Sequence, residues 1–365
     1  MLSTPETKLA AVFRRTLAMY QPGQPAGSLT PGAHLNSWDW GPGIALYALH
    51  RTYPQVDAAL QKEYFDFFKT WFAYNLDTRP PTPAINSAIL INVLWSGLHD
   101  PAISLAPMER SVYRAYCLER VEYYRQHAIK LPSGVFAHTV ATGSPQSKSQ
   151  VWADNLFMLV LLLGRVAVSL GDQALFGQMV DQLELHYKHL TDPATGLLYH
   201  GWQATGAPEG RHLNGALWGR GNGWAALGAA ELLELAATPA FSGYQERMRQ
   251  ASMPHWTALQ RYQRPSGQWN TLIDQPESYP ETSATAAISA AFLKGVRLGA
   301  LPPEFAGAGQ KGLAATLANI SDTGDVLGVS GSTPLLDRLA DYNAIPNDQV
   351  NTWGQGLALL ALAEG

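Results

Sequence analysis

Cysteine, charge and long apolar runs are all scarce in this chain of 365 residues. A single cysteine, Cys117, excludes an internal disulfide framework and leaves no cysteine set for zinc. Charged residues make up 15% of the chain, against roughly 25% in a typical soluble domain. The net charge is −4 and no Lys/Arg cluster stands out, which argues against a nucleic-acid partner. The longest apolar run, Leu156 to Gly164, suits a buried helix and is too short for a membrane span. The opening stretch MLSTPETKLAAVFRR has no hydrophobic signal core, so a cytoplasmic location is expected. No His-Glu-x-x-His or similar pairing occurs, so neither metal nor cofactor is expected. A Gly-x-Ser-x-Gly nucleophile elbow is also lacking.

Tryptophan, by contrast, is abundant, with 11 residues. Aromatic faces stack on the C–H faces of sugar rings, so a Trp-rich, charge-poor chain suggests a carbohydrate ligand.

Two kinds of helical segment alternate along the chain. The amphipathic kind comprises Pro5–Tyr20, Val56–Asp77, Ser111–Ile129, Asp172–Leu190, Gly243–Gln263 and Pro303–Ile320. The other kind is rich in Ala, Leu and Gly with almost no charge: Gly43–His50, Ala84–Leu98, Asn155–Ser169, Gly223–Ala236, Thr282–Gly295 and Gly354–Ala363. In Val56–Asp77 the residues Leu60, Tyr64, Phe67, Phe68, Trp71 and Phe72 recur at helical spacing. Thr4 before Pro5 marks a helix start. A helix that is apolar all round is buried, and one with a charged face lies at the surface. Strict alternation of the two predicts an all-α protein, an (α/α)6 barrel of six inner and six outer helices. One domain over 1–365 is expected, with a helical solenoid as the other arrangement that pairs helices. Strands are expected only at short pieces such as Val135–Ala137 and Leu197–Tyr199, and Thr142–Gln150 reads as a polar surface loop.

The segments leading into the inner helices gather unusual residues. They include Asn36–Gly43, Ser149–Asp154, Leu217–Trp224, Tyr279–Ser283 and Asn347–Gly354. In such a barrel these ends all point one way and converge on a funnel, where helix N-termini favour an anionic group. Asp154, between Trp152 and an apolar run, is either a helix-start acid or a general acid whose apolar walls raise its pKa. Arg220, in Trp218-Gly-Arg-Gly-Asn-Gly-Trp224, either pairs with a structural carboxylate or captures a substrate carboxylate through its fork. The three glycines read as backbone freedom for sharp turns. His138 and His200 each close a short post-glycine extended piece. Asp39, Asp274, Glu281 and Asp348 are the acids that could partner Asp154 in a two-carboxylate glycosidase.

Three motifs carry a resemblance. Trp152-Ala-Asp-Asn-Leu-Phe-Met158, Trp218-Gly-Arg-Gly-Asn-Gly-Trp224 and Glu281-Thr-Ser-Ala-Thr-Ala286 resemble those of the unsaturated rhamnogalacturonyl hydrolases of glycoside hydrolase family 105. These are relatives of the family 88 unsaturated glucuronyl hydrolases. The match runs from about Trp38 to the C-terminus. The resemblance implies an (α/α)6 barrel and release of a 4,5-unsaturated uronic acid, galacturonyl or glucuronyl, from the non-reducing end of lyase-generated oligosaccharides. It implies protonation of the vinyl ether at C4, water addition at C5, and opening of the resulting hemiketal. By match, Asp154 is the catalytic acid and base. His138, His200, Trp218, Arg220, Asn222 and Trp224 fall at substrate-binding positions, with Trp38, Asp39 and Trp40 in an aromatic site loop. One departure is visible: Pro83 in Pro81-Thr-Pro-Ala-Ile-Asn-Ser87 stands where the family carries an Asp, while Asn86 is kept.

The partner implied is an unsaturated oligosaccharide, without nucleic acid or membrane, bound by a monomer or homodimer. Two rival readings are an inverting glycosidase on saturated glycans and a sugar-binding protein without catalysis. The first requires a second carboxylate across the funnel. The second requires binding without turnover.

Overall fold

The computed structural model describes residues 5–78, 82–206 and 209–365. The expected cap Thr4 and Pro81 lie outside the described residues. In chain order the helices are α1 (Pro5–Leu17), α2 (Trp40–Thr52), α3 (Ala58–Thr78), α4 (Ala88–His99), α5 (Pro107–His127), α6 (Leu161–Leu170) and α7 (Gln173–Leu190). They continue as α8 (Gly219–Leu235), α9 (Gln245–Arg261), α10 (Thr282–Arg297), α11 (Glu304–Ala318), α12 (Leu339–Asn343) and α13 (Thr352–Ala363). A π-helical turn, Leu156–Val160, runs directly into α6.

The charge-poor helices form the inner ring. Contacts run from α2 to α4, α6, α8, α10, α13 and back to α2, which closes it. Every residue from Thr282 to Gly295 of α10 and from Thr352 to Leu362 of α13 is buried. The odd-numbered helices through α11 pack outside. In α5 only Tyr113, Cys117, Val121 and Tyr124 are buried, one stripe at helical spacing. The expected (α/α)6 barrel is the fold of the chain, with the short α12 inserted before the last inner helix.

Three inner helices begin earlier than expected, α13 by two residues at Thr352 and two others by more. α2 starts at Trp40 rather than Gly43, and α8 at Gly219 rather than Gly223. Asp39 accepts from the backbone N–H of Trp40 and so caps α2. The glycines of the Trp218–Trp224 motif therefore do not make turns. They let α8 approach its neighbours closely: a Cβ on Gly219 would lie 2.4 Å from the carbonyl oxygen of Asn270 in the segment before α10, and one on Gly223 2.9 Å from Cβ of Ala287 on α10.

Of the two strand pieces expected, Val135–Ala137 overlaps a strand, Leu197–Tyr199 holds only an isolated bridge from Leu198 to Thr191, and further short strands appear. β1 (Ala128–Lys130) pairs antiparallel with β2 (Phe136–Val140). β3 (Gln150–Trp152), β4 (Gly201–Gly206) and β5 (Glu209–His212) form an antiparallel sheet in the order β3-β4-β5. The expected loop 142–150 carries a 3-10 turn at Gln146–Ser149 and ends in β3. Among the described residues, no helix is long and apolar enough to cross a membrane.

Candidate active site

β3 and the π turn together place Asp154. β3 ends at Trp152 and the wide turn begins at Leu156, so Asp154 occupies the junction. Its carbonyl oxygen accepts from the N–H groups of Phe157 and Met158, at 3.1 and 3.0 Å. π turns of this kind recur at functional sites. The Asp154 side chain is 15% exposed. Burial pushes its carboxyl up to about 6, against a smaller downward pull from Arg220. Among the described residues its Oδ2 has no hydrogen-bond partner.

Strand pairing brings His200 to the same place. Trp152 stands opposite Gly201 in the β3–β4 ladder, and the N–H of Ala153 donates to the His200 carbonyl at 3.4 Å. His200 is fully buried, with Nε2 3.9 Å from Oδ2 of Asp154. Its Nδ1 lies 2.7 Å from the Tyr342 hydroxyl on α12, and its ring lies 4.2 Å from that of Trp218. Burial, with lesser help from His138 and Arg220, holds its pKa well below the ordinary histidine value, so the ring is neutral.

His138, on β2, stacks face to face on Trp152, with centroids 4.2 Å apart and planes 2° apart. Its Nδ1 is 2.6 Å from Oδ1 of Asn155, which donates through Nδ2 to the Phe136 carbonyl. Burial lowers the His138 pKa to about 4. Asp154, His138, His200, Trp152 and Trp218 thus form one connected cluster.

Arg220 sits beside this cluster, with both terminal nitrogens engaged. Nη1 donates to the carbonyl and hydroxyl of Ser330, at 3.1 and 2.6 Å, and to Ser283 at 3.3 Å. Nη2 donates to the Gly331 carbonyl at 2.8 Å and to Thr333 at 3.2 Å. The guanidinium lies 4.7 Å from the Trp218 ring and 3.9 Å from Glu281. Arg220 therefore anchors the segment 330–333 to α8, and of the donors expected to capture a substrate carboxylate its buried Nε is left without a partner among the described residues.

Two assignments are corrected. Asn222 is buried and satisfied: it donates to the carbonyls of Leu198 and Trp218 and accepts from the Leu198 N–H. It clamps the segment leading to His200 onto α8. Trp224 is buried in the core against Phe157, centroids 5.4 Å apart, with no face left for a sugar. Both point inward because α8 begins at Gly219, so these residues follow the helical repeat rather than a loop.

Trp38, Asp39 and Trp40 stand at the rim. Trp38 is half-buried and stacks on Trp71, centroids 5.5 Å apart. Trp40 packs on Trp353 at 4.6 Å, and Trp353 in turn meets the Arg220 guanidinium at 5.6 Å. Two hollows open here. One, of about 270 Å³, is lined by His34, Asp39, Trp40, Ser332, Asn351 and Trp353 among others. The other, of about 410 Å³, is lined by Thr82, Pro83, Asn86, His138, Thr139 and Trp152 among others, with no acidic residue among its described walls.

The other acids are engaged or lie outside. Glu281 is fully buried and accepts from the Ala284 N–H at 2.6 Å, Ser283 Oγ at 2.8 Å and the Ser330 N–H at 2.8 Å. Asp274 and Asp348 are exposed. Among the described residues no group of three His, Cys, Asp or Glu is placed to hold a metal ion. Sequence reasoning missed Asn155, Tyr342 and Trp353. Asn155 adjoins Asp154 and Trp353 begins an inner helix, so both carried a signal; Tyr342 carried none.

The model of Glycosyl Hydrolase Family 88 matches residues 18–365. The chain is 33% identical over 330 residues to the unsaturated rhamnogalacturonyl hydrolase YesR of Bacillus subtilis (strain 168), covering 90% of this chain and 89% of that protein. A solved structure from Klebsiella pneumoniae, described as a possible member of the GH105 family, superposes with a TM-score of 0.84 at 25% identity, covering 100% of this chain and 94% of that one. The unsaturated glucuronyl hydrolase of Bacillus sp. GL1 shares the fold, with a TM-score of 0.68 at 16% identity over 98% and 94% of the two chains. The family match over residues 18–365, with YesR similar over 90% of the chain, makes this chain a glycoside hydrolase belonging to glycosyl hydrolase family 88.

Proposed function

We propose that the protein removes a 4,5-unsaturated uronic acid from the non-reducing end of short oligosaccharides left by polysaccharide lyases. Asp154 acts first as acid, delivering its proton to C4 of the vinyl ether. The cation that develops at C5 takes up water, and the carboxylate now on Asp154 accepts the water's proton. The hemiketal then opens and releases the remaining sugar.

The observation that carries this reading is the solitude of the Asp154 carboxyl. Its Oδ2 is shielded from solvent, and the one neighbouring charge that shifts the carboxyl is Arg220. A single carboxyl suffices for hydration of a double bond, since it donates and then accepts one proton. An inverting glycosidase needs a second carboxylate at about 6.5–9.5 Å, placed to activate water. Glu281 has spent its oxygens on α10 and Ser330, and Pro83 offers none. A carboxyl titrating near 6 holds its proton in mildly acidic solution, as a general acid must. The names of YesR and the Bacillus sp. GL1 enzyme support the same substrate class.

The test is a panel of lyase-generated unsaturated disaccharides from pectic, ulvan and glycosaminoglycan chains. Loss of the ultraviolet absorbance of the ring double bond is expected with at least one. No loss with any of them, alongside cleavage of a saturated glycoside, would replace this reading with the glycosidase one.

A further inference from the structure

We infer that Tyr342 is a positioning residue that locks His200 in the tautomer with its proton on Nε2, so that a fixed donor faces Asp154. The assignment follows a chain of hydrogen bonds that begins in the backbone. The Ala216 N–H donates to Oδ1 of Asn214 at 2.9 Å, which identifies that atom as the oxygen. The Asn214 amide nitrogen therefore faces the other way. It donates to the Leu336 carbonyl and, at 2.8 Å, to the Tyr342 hydroxyl oxygen. The Leu336 N–H approaches the same oxygen at 3.4 Å. With donors arriving at its oxygen, Tyr342 has only its own hydrogen to direct at His200, 2.7 Å away. Nδ1 of His200 must accept that hydrogen, so it carries none.

A neutral imidazole with a bare Nδ1 is protonated at Nε2. That Nε2–H and Oδ2 of Asp154 are 3.9 Å apart, too far to bond each other, and both are buried without a partner among the described residues. An oxygen at the usual length of about 2.8 Å from each fits between them. The group taken there is an acceptor, an oxygen of the bound sugar, which His200 supplies with a hydrogen bond while staying uncharged. The groups facing this pair are Arg220 from α8, His138 from β2, Tyr342 from α12 and, through Arg220, Glu281 at the start of α10.

The role assigned to the sugar rests on the proposed reaction, whereas the tautomer does not, and two measurements keep them apart. In enzyme labelled with 15N-histidine, His200 is expected to show an unprotonated, hydrogen-bonded Nδ1 and a protonated Nε2 near neutral pH. A protonated Nδ1, or a doubly protonated ring, overturns the inference whatever the enzyme's activity. Tyr342→Phe is expected to mix the two tautomers and to lower kcat/KM by about tenfold. His200→Gln keeps an amide donor in place of Nε2–H and needs no tautomer, so Tyr342→Phe added to it is expected to cost under about twofold. An equal loss in both backgrounds, or an unchanged tautomer in Tyr342→Phe, would mean that Tyr342 only packs. Absence of turnover of every unsaturated disaccharide by the wild type would remove the proposed reaction and leave the tautomer to the spectrum.

Discussion

Nε2 of His200 and Oδ2 of Asp154 face each other across 3.9 Å, both shielded from solvent. Two strands separated in sequence by the inner helix α6 and the outer helix α7 bring them there, and neither atom has a partner among the described residues.

The first prediction concerns pH. An acid that must be protonated to act loses activity as it ionises. With Asp154 held at about 6, kcat/KM on an unsaturated disaccharide is expected to fall above that pH. A profile flat from pH 5 to pH 8, two values about one unit or more on either side, would remove Asp154 from the acid role.

Asp154→Asn is expected to abolish turnover and yet stabilise the fold. The folded carboxyl titrates near 6 and the unfolded one near about 3.9, so the native state binds a proton more readily. Stability is thus lost as pH rises through that window, by at most about 3 kcal/mol. Thermal melts above the window should show the variant a few degrees higher than wild type, with the difference vanishing in acid. A lower melting point at high pH would contradict the burial argument.

Arg220→Met should act on both structure and chemistry. It removes the guanidinium that donates to Ser330, Gly331 and Thr333, with an expected loss on the order of 2–4 kcal/mol in urea unfolding. Arg220 also holds the Asp154 carboxyl down, so any residual activity should extend to higher pH. A variant of wild-type stability would place the 330–333 segment under some other control.

At the opposite end of the ring, Lys294 binds Glu231 at 2.6 Å and Glu234 at 3.0 Å, while Arg51 and Arg165 also face Glu231. Glu231 is fully buried, and these cations hold its carboxyl below the usual range despite the burial. Its contribution to stability is therefore present above about pH 4.3 and fades as pH falls below it. Lys294→Met leaves a buried charge short of its partner and is expected to cost about 3–5 kcal/mol by chemical unfolding at neutral pH. The deficit should shrink in acid.

Gly219→Ala tests the close approach of α8 to Asn270. The added methyl would lie 2.4 Å from a backbone oxygen, which has no flexible end to move aside. A loss of about 1–3 kcal/mol and a damaged site are expected, read by melting temperature and kcat.

The barrel was legible because charge cannot be buried cheaply, so the inner helices had to advertise themselves by lacking it. Leu60, Tyr64, Phe68 and Trp71 follow from the same logic and are all buried. The apolar setting of Asp154 was legible from Trp152 on one side and the run from Leu156 on the other. The reading failed where helix starts were misplaced. Moving the start of α8 to Gly219 turns Trp224 and Asn222 inward, and no periodicity marks that start, since glycines carry no apolar face. The anchoring role of Arg220 was hidden because most of its partners lie 110 and more residues away, in a segment of ordinary composition. Tyr342 was invisible for the same reason: its contact with His200 spans 142 positions.

Those long spans have a consequence in time. During synthesis Asp154, His200 and Arg220 emerge well before Ser330 and Tyr342, and the loop that joins them is expensive to close until α13 has docked on α2. The growing chain therefore carries every reactive group of the site without the site itself. Competence arrives only with the last helix, and a product shortened before α12 would be an inert barrel fragment even though Asp154 is intact.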